Sequence, residues 1–246
     1  MMPVLQVGPV ALPLPPLLVL VGIWLGLILA ERHVAHFGLN ADQLFNLVLI
    51  GMISGLVGAR LAYVIRYPQA FAGSPLDVFS RNLGLFDPLI GAVIGVLAAV
   101  IYAQRRHFPL LSTLDALTPG LAVFTLALAL SHLASGDAFG APSNLPWSLE
   151  LWGIRRHPAQ IYDAVGAALI LGYLWPGRKF LGEMRPGGYF LSFITLTSAA
   201  RLILEGFRGD SALLPGGLRA AQVIAWLIFG ICLYAIDRIK SQPKLE

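Results

Sequence analysis

Seven apolar runs, bounded by charged, proline or glycine residues, dominate the pattern of this chain. Several are shorter than the roughly 20 residues that cross a bilayer, so we expect their ends to extend into the flanking turns. Because an open strand cannot satisfy its backbone hydrogen bonds in lipid, all the runs are predicted to be helices. The sequence thus predicts an all-α, polytopic membrane protein with seven transmembrane helices. The runs occupy residues 17–30, 44–67, 89–103, 114–134, 161–175, 189–207 and 218–236.

The composition agrees with a membrane protein. Of 246 residues, 57% are hydrophobic and 12% are charged, whereas about 25% are charged in a typical soluble domain. A single cysteine, Cys232, allows neither a disulfide within the chain nor a thiolate metal cluster. The histidines are scattered, so we expect no metal site, and no motif indicates a cofactor. The net charge of +4 is spread over loops and does not indicate nucleic-acid binding.

The segments outside the runs predict one integral membrane domain, 1–246, with two longer outer loops at 68–88 and 135–158. Long ordered loops often carry function. Residues 1–16 contain five prolines and no charge, and they lack the basic region that begins a signal peptide. We expect this segment to be an ordered or interfacial lead-in that the mature protein retains.

Basic residues in alternate loops predict the orientation, because cytoplasmic loops are enriched in Lys and Arg. Nine cations against six predict an outer N-terminus and a cytoplasmic C-terminus. The cations on the side of the C-terminus are Arg32, Arg105, Arg106, Arg178, Lys179, Arg185, Arg238, Lys240 and Lys244. Those on the side of the N-terminus are Arg66, Arg81, Arg155, Arg156, Arg208 and Arg219.

Small residues recur at four-residue spacing in the second and third runs. The pairs are Gly51 with Gly55 and Gly91 with Gly95. Such spacing lets helix backbones approach closely in a membrane. We therefore predict close helix packing at these glycines.

Two opposite charges lie inside the sixth run. Arg201 and Glu205 are four residues apart, which places them on one face of a helix. Charge inside a span is costly and must face protein or a water-filled cavity. The pair either holds helices together by mutual neutralisation or forms an anion site deep in the membrane. Arg208 and Asp210 follow where the apolar run stops.

Two further polar positions near run ends have both structural and functional interpretations. Arg60, near the outer end of the second run, either extends to the interface or points inward. His132 and Asp137 end the fourth run, and a histidine beside a carboxylate can act as a general base. A histidine at a helix end can equally be a structural residue.

The start of the fifth run gathers polar side chains at the level of lipid headgroups. Arg156, His157, Gln160 and Tyr162 lie here, together with Asp163. They predict either an interfacial belt with a capping arrangement or a rim that binds a headgroup.

Taken as a set, these motifs resemble those of the bacterial prolipoprotein diacylglyceryl transferases, from about residue 17 to residue 236. The resemblance implies a seven-helix enzyme of the bacterial plasma membrane with its N-terminus outside. It implies transfer of the diacylglyceryl group of phosphatidylglycerol to the lipobox cysteine of a prolipoprotein, with loss of glycerol-1-phosphate. The matching motifs are Gly58-Ala-Arg60, Leu89-Ile-Gly91, Gly136 to Gly140, Leu145-Pro-Trp147, Arg156-His-Pro-x-Gln-x-Tyr162 and Arg201-x-x-x-Glu205-x-x-Arg208-x-Asp210.

The resemblance also implies roles for individual residues. Arg201 matches the family arginine near the phosphate, and Glu205 orients it. Arg60 and Arg208 hold the headgroup. Gly140 matches the glycine that closes the family signature, and Asp137 stands where the family usually has glutamate. The family does not have a histidine at the position of His132, and we predict that His132 with Asp137 substitutes as the base for the incoming thiol.

Several family positions carry other residues in this chain. Phe86 replaces the family histidine before Leu89-Ile-Gly91, and Ala129 and His132 replace an arginine and an asparagine of the signature. Val19 replaces a tyrosine of the first helix, and Thr197 begins the pair that replaces Tyr-Gly. Two hypotheses therefore stand: an active transferase, and a non-catalytic relative that binds anionic lipid or lipoprotein partners. A solute transporter has little support, since no paired broken helices occur.

Overall fold

The computed structural model describes residues 4–7, 10–80, 83–176 and 184–241, and these residues form seven α-helices. Six of the helices are long and apolar enough to cross a membrane. The prediction of an all-helical, multi-pass membrane protein is thus confirmed. The helices are α1 (Leu14–His33), α2 (Ala41–Arg66), α3 (Pro88–Arg105), α4 (Leu110–Ser135), α5 (Ala159–Tyr173), α6 (Gly188–Leu204) and α7 (Ala220–Ser241).

Each predicted run overlaps one helix, and local sequence signals explain where several helices begin. Asn40 caps α2, and its side chain accepts a hydrogen bond from the Asp42 amide at 2.9 Å. The backbone amide of Asn40 in turn donates to Gln43 Oε1 at 3.2 Å. Asp87 caps α3 immediately before Pro88. Helix α5 is the described α-helix that is not among the six long ones. Its 15 residues extend about 22 Å along the helix axis.

Two antiparallel hairpins accompany the helices, and the hydrophobic pattern did not predict them. One pairs β1 (Val4–Val7) with β2 (Val10–Pro13) in the proline-rich lead-in. The other pairs β3 (Leu149–Leu151) with β4 (Ile154–Arg156) in the second long loop. Its turn residues, Trp152 and Gly153, have φ values of 53° and 75°, as a two-residue type I′ turn requires. Strands this short leave no detectable alternation in the sequence.

The chain divides into two compact units, residues 38–113 and residues 1–37 with 114–246. In the first unit, α2 packs against α3 through the predicted small-residue pairs. A Cβ atom on Gly95 would lie 2.7 Å from the Gly51 carbonyl oxygen, and one on Gly55 would lie 3.0 Å from that of Gly91. Only glycine permits this approach, which confirms the predicted close packing.

In the second unit, a buried cluster on α4, α5 and α6 includes Tyr189 and Phe193. The Tyr189 ring stacks on Phe37 with centroids 5.8 Å apart. The buried Asp115 carboxylate of α4 accepts hydrogen bonds from the backbone amides of Gly187, at 2.6 Å, and Phe190, at 2.8 Å. This side chain therefore caps α6 from a neighbouring helix.

Part of the loop-charge prediction lies outside the described residues. These cations are Arg81, Arg178, Lys179 and Lys244. The orientation of the chain in the membrane stays a prediction.

Candidate functional site

Helices α4, α5 and α6 line an open cavity of about 340 Å³. Small and apolar residues such as Ala129, Gly166 and Leu204 form much of its wall. Polar side chains project from all three helices and from the segment that follows α6. They are Thr125, His132, Asp163, Thr197, Arg201 and Arg208.

The predicted pair on α6 is formed in this cavity. Arg201 lies in the last turn of α6, and its Nε is 3.0 Å from Glu205 Oε2. Glu205 is only 1% exposed, whereas the Arg201 side chain is 38% exposed. Within the described residues, no hydrogen bond engages either terminal nitrogen of Arg201. The carboxylate therefore fixes one edge of the guanidinium group and leaves the fork available to an anion.

Arg208 has the opposite environment. Its Nε and Nη2 donate to the two carboxylate oxygens of Asp210, at 2.9 and 2.7 Å. Its Nη1 lies 3.4 Å from Asp163 Oδ2, and its Nε lies 3.8 Å from Glu205 Oε2. With its side chain 11% exposed, Arg208 is a fixed part of the cavity wall.

Arg219 closes this network from the start of α7. It donates to the backbone oxygens of Glu205 and Arg208, the latter at 2.7 Å, and to Ser211 Oγ at 3.0 Å. The sequence indicated only a loop cation here, because carbonyl acceptors leave no signal in side-chain types. We call the linked charged residues the ionic cluster: Arg201, Arg208, Arg219, Asp163, Glu205 and Asp210.

The predicted base His132 lines the cavity from α4, whereas Asp137 is not among the residues that line it. Asp137 is exposed, and its carboxylate accepts a hydrogen bond from Ser135 Oγ at 2.7 Å. Gly136, with φ of 80°, ends α4 between the two residues. Asp163 of α5 instead shares the cavity wall with His132. The sequence placed Asp163 only among the headgroup-level polar groups, since nothing local shows which helix faces α4.

Gly140 lies where three backbone segments meet. It bridges to Arg208, and a Cβ atom here would overlap the carbonyl group of His157. The neighbouring Ala141 amide donates to the Phe207 carbonyl at 2.8 Å. This crowding explains the need for glycine and fixes the segment that follows α6 to the loop between α4 and α5.

The predicted rim residues surround the start of α5. The Arg156 guanidinium carbon lies 4.9 Å from the centre of the Phe139 ring, and Tyr162 Oη accepts from Trp147 Nε1 at 2.8 Å. Gln160 is 1% exposed and donates to the Asp137 carbonyl at 2.9 Å. Three buried rim atoms have no hydrogen-bond partner among the described residues. They are Arg156 Nε, His157 Nδ1 and Gln160 Oε1.

An apolar cavity of about 660 Å³ lies beside the rim and is lined by Trp147, His157 and Tyr162. Gly166, Ala200 and Leu204 line both this cavity and the one that contains Arg201. The two cavities are therefore neighbours across α5 and α6.

Arg60 belongs to the other unit and is 7% exposed. Its guanidinium group donates to the carbonyls of Val78 and Leu85, each at 2.7 Å, to the carbonyl of Asp77, and to Ser80 Oγ at 2.9 Å. It also lies 5.4 Å from the centre of the Phe71 ring and 5.2 Å from that of Phe86. These contacts anchor the loop between α2 and α3. The described residues contain no group of three metal-ligating side chains.

The helices and the charged cavity define a multi-pass membrane protein with a polar, charge-lined cavity between three of its helices. The chain belongs to the prolipoprotein diacylglyceryl transferase family, whose sequence model matches residues 3–236.

Relatives named phosphatidylglycerol–prolipoprotein diacylglyceryl transferase align over most of the chain. The Bifidobacterium adolescentis protein is 27% identical, over 97% of this chain and 78% of its own length. The Clostridioides difficile protein is 28% identical, over 92% and 90%. The Gloeobacter violaceus protein is 28% identical, over 95% and 90%.

Proposed function

We propose that this chain transfers the diacylglyceryl group of phosphatidylglycerol to the lipobox cysteine of a prolipoprotein. The observation that carries this proposal is the cavity in which Arg201 keeps its terminal nitrogens unengaged by described residues. Membership of the transferase family supports the same activity, as do the names of the relatives.

Arg201 is the residue that we assign to the lipid phosphate. A guanidinium fork matches two phosphate oxygens, and the low dielectric of the site strengthens such charged hydrogen bonds. Glu205 positions the fork by pairing with Nε from a buried site. Arg208, fixed by carboxylates, shapes the wall and completes the electrostatic field around the headgroup.

The thiol requires a base, and we assign this task to His132. A cysteine thiol has a pKa of about 8.5, so a neighbouring imidazole needs to supply only modest help at neutral pH. The sequence predicts Asp137 as the carboxylate that supports this base. We assign that role to Asp163, because Asp163 shares the cavity wall with His132.

The step balances as a displacement at carbon. The thiol proton goes to His132, and the sulfur forms a bond to the glycerol carbon that carries the phosphate. The bond between that carbon and the phosphate oxygen breaks, with its electron pair remaining on the oxygen. Glycerol-1-phosphate leaves, and a thioether joins the lipid to the peptide.

The rim is the proposed site for the rest of the headgroup and for the peptide. Arg156, His157 and Gln160 each present a buried polar atom that lacks a partner in the described residues. Such atoms are uncommon in folded proteins and often indicate a missing ligand or water. Tyr162 borders the apolar cavity, where we expect an acyl chain, and Gly140 holds the rim against Arg208. Arg60 donates hydrogen bonds to its own loop, and we keep the prediction that it also contacts the headgroup.

We further propose seven spans, with the N-terminus outside, in the bacterial plasma membrane. The C-terminal ends of α4 and α6 and the N-terminal end of α5 carry the site. Alternating spans bring these ends to one face, which the loop charges assign to the outside. The 15 residues of α5 require local thinning of the bilayer or snorkelling of its flanks.

The test is transfer by the purified full-length protein in lipid nanodiscs. Phosphatidylglycerol labelled in its acyl chains and a lipobox peptide should yield a labelled thioether together with glycerol-1-phosphate. Phosphatidylcholine with the same chains, and a peptide with serine in place of the cysteine, are the matched controls and should yield none.

One observation favours a second candidate function, a lipid-binding relative without turnover. The Phe86 ring, at the position of the family histidine, lies over Arg60 instead of supplying a base. Phosphatidylglycerol binding that depends on Arg201, without any thioether product, would favour this function and exclude the transferase.

A further inference from the structure

The loop between α2 and α3 displays two apolar side chains with unusual exposure. Phe79 is 85% exposed and Leu76 is 80% exposed, the two highest values among the large hydrophobic side chains of the described residues. The next two, Ile65 at 78% and Leu89 at 74%, lie at the ends of α2 and α3 that bound the same loop. The four most exposed large hydrophobic side chains of the described residues thus belong to one end of this helix pair.

Leu76 and Phe79 point in a common direction. They lie in a 3₁₀-helix, Pro75–Phe79, in which side chains three residues apart eclipse each other. We call these two side chains the apolar tip.

The loop is held in place, so the apolar tip is not exposed by disorder of the chain. Arg60 binds the backbone of the same 3₁₀-helix at Asp77 and Val78, and Phe71 packs over the guanidinium group. The two ends of the loop are tied together by the ion pair between Arg66 and Asp87, at 2.9 Å.

We propose that the apolar tip inserts into the interfacial layer of the bilayer that α2 and α3 span. Both ends of the loop emerge from membrane-spanning helices at one face, so the loop lies beside that face. Ile65 and Leu89 extend the apolar surface from the spans towards the tip. Burial of both side chains in lipid removes apolar area from water, and Arg60 fixes the tip beforehand.

Spin labelling in nanodiscs tests this placement. In a Cys232→Ala background, Leu76→Cys and Phe79→Cys are labelled with a nitroxide and compared with Asp77→Cys in the same 3₁₀-helix and Ala72→Cys in the same loop. All four positions are exposed, so the substitutions should leave the fold intact. Labels at 76 and 79 should be at least several-fold more accessible to oxygen than to a water-soluble nickel chelate. The labels at 72 and 77 should show the reverse.

Equal accessibility of all four labels to the nickel chelate would overturn the proposal. Protection of positions 76 and 79 only after a lipobox peptide is added would also overturn it, and would assign the tip to a protein partner. Neither result depends on transfer activity, so the membrane contact and the enzymatic proposal can fail separately.

Discussion

Arg60 and Arg201 both lie in helices that are long and apolar enough to cross a membrane, yet their environments differ. Arg60 is 7% exposed and donates to three carbonyls and a hydroxyl. The side chain of Arg201 is 38% exposed and is held at Nε by one carboxylate. The sequence offers both as cations for a phosphate.

The difference separates an arginine that anchors a loop from one whose terminal nitrogens the described residues leave unengaged. A buried guanidinium group must be satisfied, and Arg60 is satisfied by the backbone of its own loop. Arg201 is positioned but only partly satisfied by the described residues, so an anion can complete its coordination. Counting the partners of each donor, rather than noting the charge, distinguishes the two.

The largest effect should come from His132, the proposed base, which lines the same cavity as Arg201. We expect His132→Ala to lower transfer by about 10²–10⁴-fold, the usual scale for loss of a general base. His157→Ala, at the rim, is the matched control and should have a smaller effect. The rate of thioether formation with saturating peptide measures both, and equal rates in wild type and His132→Ala would remove His132 from the mechanism.

Arg60 should show the next largest effect, on stability. Arg60→Gln leaves several buried acceptors without a donor, at about 1–3 kcal/mol each, so we expect a loss of roughly 3 kcal/mol in the free energy of unfolding. Denaturant titration in detergent measures this change. Transfer per folded molecule should stay close to wild type. A selective rise in KM for phosphatidylglycerol, without loss of stability, would instead support the headgroup role predicted from the sequence.

Arg201 should show the reverse pattern. We expect Arg201→Ala to weaken phosphatidylglycerol binding by about 10–100-fold, corresponding to charged hydrogen bonds of about 1.5–3 kcal/mol. Arg201→Lys restores the charge but not the fork and should recover only part of the affinity. Arg155→Ala, an exposed cation of the second hairpin, is the control. Normal lipid binding in Arg201→Ala, together with lower stability, would indicate a purely structural pair.

Asp115 should show the smallest effect of the four residues. Its carboxylate is buried, and among the described residues its hydrogen bonds come from backbone amides at the start of α6. We expect Asp115→Asn to cost about 0.5–2 kcal/mol of stability, the range for a lost helix cap. Lipid affinity should be unchanged, and a parallel loss of affinity would mean that the cap also positions Arg201 along α6.

The helices were predictable because lipid imposes a long apolar run on each span, and Pro88, Pro158 and Gly187 flank the helix starts. The Arg201–Glu205 pair was predictable because four-residue spacing fixes its geometry within one helix. The glycine contacts between α2 and α3 were predictable from the four-residue spacing of small residues within each helix.

The site across helices was harder to predict. Asp163 lines the same cavity as His132 and pairs with Arg208, and no local pattern of the sequence specifies either neighbour. The anchoring of Arg60 depends on carbonyl oxygens, which every residue carries. The second hairpin depends on the positive φ values of Trp152 and Gly153, which only the turn geometry reveals.

The ionic cluster has a consequence for the release of product. It contains three guanidinium groups and three carboxylates, so its formal charges cancel before any ligand arrives. Phosphatidylglycerol brings one negative charge, whereas a phosphate monoester carries between one and a half and two at pH 7. A cluster without surplus positive charge offers less compensation for the second negative charge than a set of unpaired arginines would. We therefore expect glycerol-1-phosphate to dissociate readily into water, which leaves Arg201 available for the next lipid.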